Sequence, residues 1–263
     1  MLNYKKLGCQ FTGKYLLALS GVLIFLLGLF ACSGKLLKGS VLSLDDFHNY
    51  KSVFSLTSNY FDEAMGYQGS NFKAVSLREI VSEAPMMVDG ILLECFDDYQ
   101  GFISIDDIVK YDLWLAIEVQ IASEFDKPNW LNPMLVIVPD NTDAPKREGF
   151  MTANIRELHF VNSRDYYSPL TDGMNLSRKE TEGYEVFRKN CMFCHSLKGI
   201  GGNKGIDLPS AYNFSHQSGK ERFVSDFLGF HHKDNEDKQN MEQFVNRKKL
   251  NEIASFLSAV VQN

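Results

Sequence analysis

Cys191-Met192-Phe193-Cys194-His195 is a five-residue motif that constrains this chain of 263 residues more than any other segment. Two cysteines three residues apart lie along one side of a helical turn, where both thiols can reach the vinyl groups of one porphyrin. The adjacent histidine then points its imidazole at the iron. A dithiol redox motif needs no following histidine, and a structural zinc site needs further ligands nearby. The motif therefore predicts one covalent haem c, attached through Cys191 and Cys194 and ligated by His195.

The segments on either side of this motif have the spacing of helices and turns. Gly183, Phe187 and Cys191 recur at every fourth position and lead into the motif as one face of a helix. Residues 199–208 (GIGGNKGIDL) follow it as a glycine-rich segment. Residues 250–261 (LNEIASFLSAVV) place apolar side chains at helical spacing near the carboxyl end. The pattern predicts a helix before the motif, a turn after it and a closing helix.

Residues 182–263 resemble the class I cytochrome c domain, in which a helix ending in the haem motif precedes a glycine-rich turn, a ligand methionine and a closing helix. The resemblance implies an all-α domain, with His195 as the proximal ligand of the haem iron and Met241 as the distal ligand. Met241 stands in a Met-x-x-Phe sequence just before the last helix. The competing distal ligands are three histidines: His231, His232 and, more remotely, His216. A thioether ligand raises the reduction potential relative to a second imidazole.

Two positions depart from the usual pattern of this family. Residues 205–208 read Gly-Ile-Asp-Leu, where the family usually has Gly-Pro before the leucine. That proline carbonyl commonly accepts a hydrogen bond from the proximal imidazole, so this bond is open to question here. Glu242 follows Met241, where a proline is usual. Neither change removes a ligand, but both can tune the reduction potential.

The first 31 residues have the pattern of an export signal. Lys5, Lys6 and Lys14 precede an apolar run over residues 15–31, which is broken only by small residues. A charged segment followed by an apolar segment of this length is a secretory signal or an uncleaved anchor. As a membrane span, seventeen residues are at the short limit.

The apolar run ends Leu-Phe-Ala before Cys32, which resembles the lipobox of bacterial lipoproteins. The resemblance implies a signal peptide over residues 1–31, cleavage before Cys32 and a lipid on its thiol. A single-span anchor with an incidental cysteine is the alternative. Both interpretations place the body of the protein on the periplasmic side of a bacterial membrane, where c-type haem is attached. Ser33 after the cysteine favours the outer membrane.

The charge of the chain argues against nucleic acid as a partner. The net charge is -6, and removing a leader with three lysines and no acidic residue brings it to -9. A nucleic-acid-binding surface needs cations to neutralise phosphates. We expect redox partner proteins that present a basic face, although charge alone identifies none of them.

An upstream domain is predicted over residues 42–165, followed by a linker over residues 166–181 that contains Pro169 and Gly173. Three strands are predicted from apolar composition and flanking turn residues: 90–96, 134–138 and 155–161. Short helices or turns are predicted at 76–82 and 104–110. Cys95 falls in the first strand, where we expect a buried thiol.

This upstream region resembles the sulfite-oxidase-type molybdopterin domain in four short blocks of sequence. The blocks are SLREI at 76–80, CFDDY at 95–99, IDDIVKYDLWLA at 105–116 and MLVIVP at 134–139. The resemblance implies an α+β fold, so the chain is predicted to combine an α+β domain with the all-α cytochrome c domain of residues 182–263. The family's metal-ligand cysteine lies well before the CFDDY block, and no cysteine occurs between Cys32 and Cys95. We therefore expect no molybdopterin cofactor.

Together these features predict an exported, lipid-anchored cytochrome with one haem c, which carries single electrons between redox partner proteins. Apolar side chains around the haem should exclude water, and the candidates are Phe187, Leu208, Phe223, Phe227 and Phe244. The alternative is a catalytic or electron-accepting subunit of a molybdenum oxidoreductase, which would contain bound molybdenum. The sequence favours an electron carrier over an enzyme.

Overall fold

The computed structural model describes residues 41–47, 52–231 and 245–262. The strands are β1 (Val41–Ser43), β2 (Phe54–Thr57), β3 (Asn71–Ser76), β4 (Gly90–Cys95), β5 (Gln100–Ser104), β6 (Trp114–Gln120), β7 (Leu135–Ile137) and β8 (Ile155–Val161). The α-helices are α1 (Leu44–Phe47), α2 (Asn59–Met65), α3 (Leu77–Ser82), α4 (Ile105–Tyr111), α5 (Ser163–Tyr167), α6 (Arg178–Asn190), α7 (Leu208–Ala211), α8 (Gln217–Phe230) and α9 (Arg247–Gln262). Short 3-10 helices occupy Glu148–Met151 and Ser168–Leu170.

The strands form two antiparallel sheets of four strands each. Sheet I has the order β1-β8-β4-β5, and sheet II has the order β2-β3-β6-β7. In sheet I the first strand pairs with the last, since Val41 lies opposite His159. His159 also lies opposite Leu92 on the other side of β8, and β4 pairs with β5 on its far side, so β8 and β4 are the two interior strands. The first and last strands of the upstream region, β1 and β8, are therefore neighbours in sheet I.

The burial pattern of β4 shows that sheet I is covered on both faces. Antiparallel strands that face water on one side alternate between apolar and polar residues, whereas β4 (GILLEC) is buried at all but one position. Ile91 and Leu93 point into the sheet core, which is the larger of the two hydrophobic clusters. Leu92 is buried on the opposite face, next to its cross-strand partner Phe102. Phe102 in turn packs against the smaller cluster, here called the helical core.

The helical core is built by α6, α8 and α9. Its fully buried side chains include Phe187 of α6 and Phe256 of α9, whose ring centroids are 5.9 Å apart. α6 and α9 approach closely at Gly183, where an added Cβ would collide with the backbone carbonyl of Glu252. A glycine at this position lets the two helix backbones come into contact. The buried apolar faces of both helices then supply most of their stability.

The prediction of an α+β domain followed by a separate all-α cytochrome c domain is wrong. The described residues from β1 to α9 fall in one compact unit, a mixed α/β architecture with two antiparallel sheets. The physical reason is that the helices alone do not complete their core. Phe102 of β5 packs against it, and Tyr167 and Leu170, from the segment predicted to be a linker, are buried within it. The rings of Phe102 and Tyr167 meet edge to face with centroids 5.8 Å apart.

In the described ranges no helix has both the length and the apolar character needed to cross a membrane. The apolar run over residues 15–31 and Cys32 lie outside those ranges, so the predicted signal peptide and lipid anchor stay predictions.

Candidate functional site

The two cysteines and the histidine of the predicted attachment motif are brought together where α6 ends. The N–H of Cys191 still donates to the carbonyl of Phe187, at 2.8 Å, as in a continuing helix. The next turn is tight, because the N–H groups of Cys194 and His195 both donate to the carbonyl of Cys191, at 3.1 and 2.8 Å. The side chains of Cys191, Cys194 and His195 therefore all project from one short turn of backbone.

The environment of Cys191 disfavours thiolate chemistry. Cys191 is 8% exposed, and burial raises the pKa of its thiol, as does a negative charge at the neighbouring Cys194. Thiolates, not thiols, act as redox nucleophiles and metal ligands. In addition, the described residues contain no group of three histidine, cysteine or acidic side chains placed to hold a metal ion. A thioether bond from a cysteine to a porphyrin does not require the free cysteine to be a thiolate.

The His195 imidazole is fixed by a backbone hydrogen bond. Its Nδ1 lies 2.8 Å from the carbonyl oxygen of Ile206. Because a carbonyl oxygen can only accept a hydrogen bond, Nδ1 carries the proton and donates the hydrogen bond to the carbonyl of Ile206. The lone pair is then on Nε2, the nitrogen that is left to bind a metal. Ile206 stands where the class I family usually has a proline, and the loss of that proline put this hydrogen bond in question. The bond is present because the acceptor is a backbone carbonyl, which does not depend on the side chain.

The glycine-rich segment closes against this imidazole. An added Cβ at Gly205 would collide with Nδ1, Cε1 and Cγ of the His195 ring. The N–H of Gly205 also donates to the carbonyl of Cys194, at 2.7 Å. Gly201 adopts φ 105°, and an added Cβ there would lie 2.8 Å from the carbonyl of His195. The absence of side chains at these two glycines lets the segment wrap the motif.

A second imidazole faces His195 from the end of α8. The ring of His231 lies with its centroid 6.2 Å from that of His195, at an interplanar angle of 46°. Phe227 stacks on the His231 ring with centroids 4.3 Å apart and an angle of 15°. Burial lowers the pKa of His231, and the charge of His195 lowers it further. Of the two candidate distal ligands within the described residues, His216 and His231, it is His231 whose ring lies next to His195.

Sheet I touches the motif directly through the turn between β4 and β5. The rings of Tyr99 and Phe193 stack with centroids 4.9 Å apart, and the N–H of Gln100 donates to the carbonyl of Phe193 at 3.0 Å. The N–H of Asn203 donates to the carbonyl of Asp98 at 2.8 Å. Asp98 has a φ of 68°, which an aspartate in a tight turn tolerates. The sheet thus contacts both the motif and the glycine-rich segment after it.

Burial raises the pKa of Tyr99 to about 12, with a further contribution from a charge at Cys194. The phenol is therefore protonated and neutral at physiological pH. Tyr99 contributes its ring and a neutral hydroxyl to the edge of the motif.

The remaining residues selected from the sequence are distributed as follows. Met241, His232 and Phe244 lie outside the described residues, so the role of Met241 as distal ligand stays a prediction. His216 is the residue that precedes α8, at the opposite end of that helix from His231. Cys95 is buried at the end of β4. Of the apolar candidates, Phe187, Leu208 and Phe223 are buried in the helical core, and Phe227 is partly buried against it.

Sequence reasoning marked the position of Ile206 through the missing proline, but it missed the contributions of Tyr99 and Gln100 to this site. Gln100 acts through its backbone N–H, which nearly every residue type provides, so no sequence signal marks it. Tyr99 lies in the CFDDY block, whose turn composition indicated where the chain reverses but not what the turn contacts. Neither the protein-family models nor the curated proteins that were compared with the sequence give a match.

Proposed function

We propose that this protein is an exported c-type cytochrome with one covalent haem, which carries single electrons between redox partner proteins. The observation that carries the proposal is the conjunction of Cys191, Cys194 and His195 in one turn, with the imidazole held in a single tautomer by Ile206. A haem bound there supplies a one-electron iron couple.

The described residues fit such a group in three respects. The two thiols and the imidazole leave the same turn, as attachment to one porphyrin requires. The Nδ1–H···O bond of 2.8 Å from His195 to Ile206 orients Nε2 and makes the ring a stronger donor to a metal. The apolar side chains of the helical core next to the motif keep water away, which favours the less charged reduced state of a haem.

The proposal extends to the compartment and the partners. Haem attachment to this motif needs export, which the predicted signal over residues 1–31 would provide. A lipid on Cys32 would then hold the protein at the periplasmic face of a membrane, the outer membrane by the Ser33 signal. There it would exchange electrons with proteins that dock near the motif. A net charge of -9 after removal of the leader favours partners with a basic docking face.

The experiment is a test for covalent haem in protein produced in a host that exports it and attaches haem c. We expect the porphyrin to stay with the denatured polypeptide in acidic acetone, and Cys191→Ala together with Cys194→Ala to abolish this. Cys95→Ala is the matched control, because it removes a buried cysteine outside the motif and should leave the haem attached. Haem that extracts freely from the wild type, or no haem at all, would contradict the proposal. Metal analysis of the same sample tests for molybdenum.

A further inference from the structure

We infer that His231 is the second axial ligand of the haem iron, opposite His195. The inference rests on the proposed haem attachment and deepens it, since it decides what kind of electron carrier the site makes. It also differs from the ligand set that the class I resemblance implies, in which Met241 takes this place.

The separation of the two rings matches that of two imidazoles on one metal ion. A metal–imidazole bond is about 2 Å long and a ring nitrogen lies about 1 Å from its ring centroid. Two imidazoles on opposite sides of one ion therefore have centroids about 6 Å apart. The centroids of His195 and His231 are 6.2 Å apart. The interplanar angle of 46° is compatible with this arrangement, because two imidazoles on opposite sides of one ion need not be coplanar.

Three features of α8 hold His231 in this position. Its backbone N–H donates to the carbonyl of Phe227 at 2.9 Å, so the residue continues the geometry of α8 for one more position. The Phe227 ring lies flat against the imidazole and limits its rotation. One turn earlier, Phe223 and Val224 anchor α8 in the helical core, each 3% exposed. The imidazole is thus presented by a packed helix end.

The opposing imidazole is equally constrained. The bond from His195 to Ile206 leaves Nε2 as its metal-binding atom, and Gly205 closes behind the ring. α6, which carries the motif, and α8, which carries His231, are connected through α9, since both helices contact it. The distance between the two rings is therefore set by the packing of three helices.

This ligand set has a measurable consequence for the reduction potential. A thioether in the distal position raises the potential of a haem relative to a second imidazole. With His195 and His231 as ligands, we expect a potential below that of the same site with a methionine ligand. The protein would then deliver electrons at low potential.

The test uses the exported, haem-loaded full chain and three variants at the distal side. In the wild type we expect a six-coordinate low-spin haem with the ferric EPR signature of two imidazoles. His231→Ala should produce a high-spin haem that binds carbon monoxide, while Met241→Ala should keep the wild-type spectrum. His231→Met should stay six-coordinate and show a higher potential than the wild type. His216→Ala is the control, because it removes the histidine that flanks the other end of α8.

The outcomes separate this inference from the proposed function. A His231→Ala protein that keeps the low-spin wild-type spectrum, together with a high-spin Met241→Ala protein, would assign the ligand to Met241 and overturn the inference while leaving a c-type cytochrome. A wild-type protein without covalent haem would instead contradict the proposed function. A wild type that is already high-spin and binds carbon monoxide would also overturn the inference, since it leaves the sixth position open.

Discussion

The sheet core and the helical core of this protein bury different chemistry. Among the described residues, the buried polar side chains of the sheet region are the hydroxyls of Ser58, Ser70 and Thr152, beside the phenols of Tyr60 and Tyr111 and the Cys95 thiol. Those of the helical region are His195, Glu252 and Ser258, two of which are ionisable. Burying an ionisable group costs free energy unless a partner or a ligand compensates.

This difference bears on which region would carry the proposed function. Clusters of buried ionisable groups with perturbed pKa values concentrate at functional sites, because catalysis and ligand binding use such environments. In the helical region, a buried imidazole, a buried thiol and a second half-buried imidazole meet within one cluster of helices. The sheet region contributes a turn that contacts this cluster from outside. We therefore expect the sheet region to act as a support and the helical region to carry the chemistry of the proposed function.

The largest effect is expected from closing the gap between α6 and α9. Gly183→Ala places a Cβ against the carbonyl of Glu252, so the helices must move apart. We expect the free energy of unfolding of the helical region to fall by about 1–3 kcal/mol, as for other overpacked contacts. In the haem-loaded protein proposed above, haem absorbance would report on this region, whereas Trp114 and Trp130, the two tryptophans of the chain, both pack against the sheet core. Denaturant unfolding followed by both signals measures the effect.

The control for Gly183→Ala is Gly229→Ala in α8. An added Cβ at Gly229 meets nothing within 4 Å, so the substitution changes helix propensity alone. It should stabilise α8 by up to about 1 kcal/mol. If Gly183→Ala shifts the haem and tryptophan transitions equally, the two cores unfold as one cooperative unit and the distinction between them is structural only. If Gly183→Ala is no worse than Gly229→Ala, the close approach of α6 and α9 is not required.

The comparison also shows which parts of the fold were readable from the sequence. Three strands and the closing helix were predicted within a few residues of where they lie, because apolar runs and helical spacing are local signals. The observed elements are β4 (Gly90–Cys95), β7 (Leu135–Ile137), β8 (Ile155–Val161) and α9 (Arg247–Gln262). The attachment motif was readable for the same reason, since its five residues are consecutive. The order of strands in the two sheets was not, because pairing such as Val41 with His159 joins distant segments.

The error in the fold class has a specific cause. Residues 182–263 look self-contained in sequence, with a motif, a glycine-rich segment and two helices. Their core nevertheless includes Tyr167 and Leu170 and packs against Phe102, and the motif carbonyl of Phe193 accepts a hydrogen bond from Gln100. Such contacts depend on tertiary position, and no residue pattern announces them.

A smaller effect is expected where the two regions touch. Tyr99→Ala removes the ring that stacks on Phe193, and such aromatic pairs contribute about 0.5–1.5 kcal/mol beyond buried area. We expect the haem and tryptophan unfolding transitions to separate, because the sheet then supports the motif less. Tyr99→Phe is the matched control, since it keeps the ring and the phenol is neutral at physiological pH. Tyr99→Ala transitions that coincide with those of Tyr99→Phe would show that the stack does not couple the regions.

The smallest effect is expected at the start of α6, where the pH dependence of stability can be worked out. The Ser177 side chain accepts from the N–H of Glu180, and the Glu180 carboxylate accepts from the N–H of Ser177. The backbone N–H of Ser177, followed by its hydroxyl, lowers the pKa of Glu180 below its usual value of 4.5. A carboxylate with a lowered pKa in the folded state stabilises the protein above the unfolded pKa, and this contribution is lost as the pH falls through the folded one. Glu180→Ala should therefore lower the free energy of unfolding at neutral pH, with a difference from wild type that shrinks below about pH 4.5.

The matched variant Ser177→Ala separates the two halves of this cap. It removes the hydroxyl that accepts from Glu180 but keeps the backbone N–H that holds the carboxylate. The loss of the cap should cost about 1 kcal/mol. Because the backbone bond is the larger cause of the lowered pKa, the dependence on pH should persist in Ser177→Ala and disappear in Glu180→Ala. Urea unfolding followed by haem absorbance between pH 3 and pH 7 (roughly the range over which carboxylates titrate) measures both variants. A Glu180→Ala difference that stays constant across this range would mean that the charge of Glu180 does not support α6, and that the helix carrying the motif is held by its packing against α9.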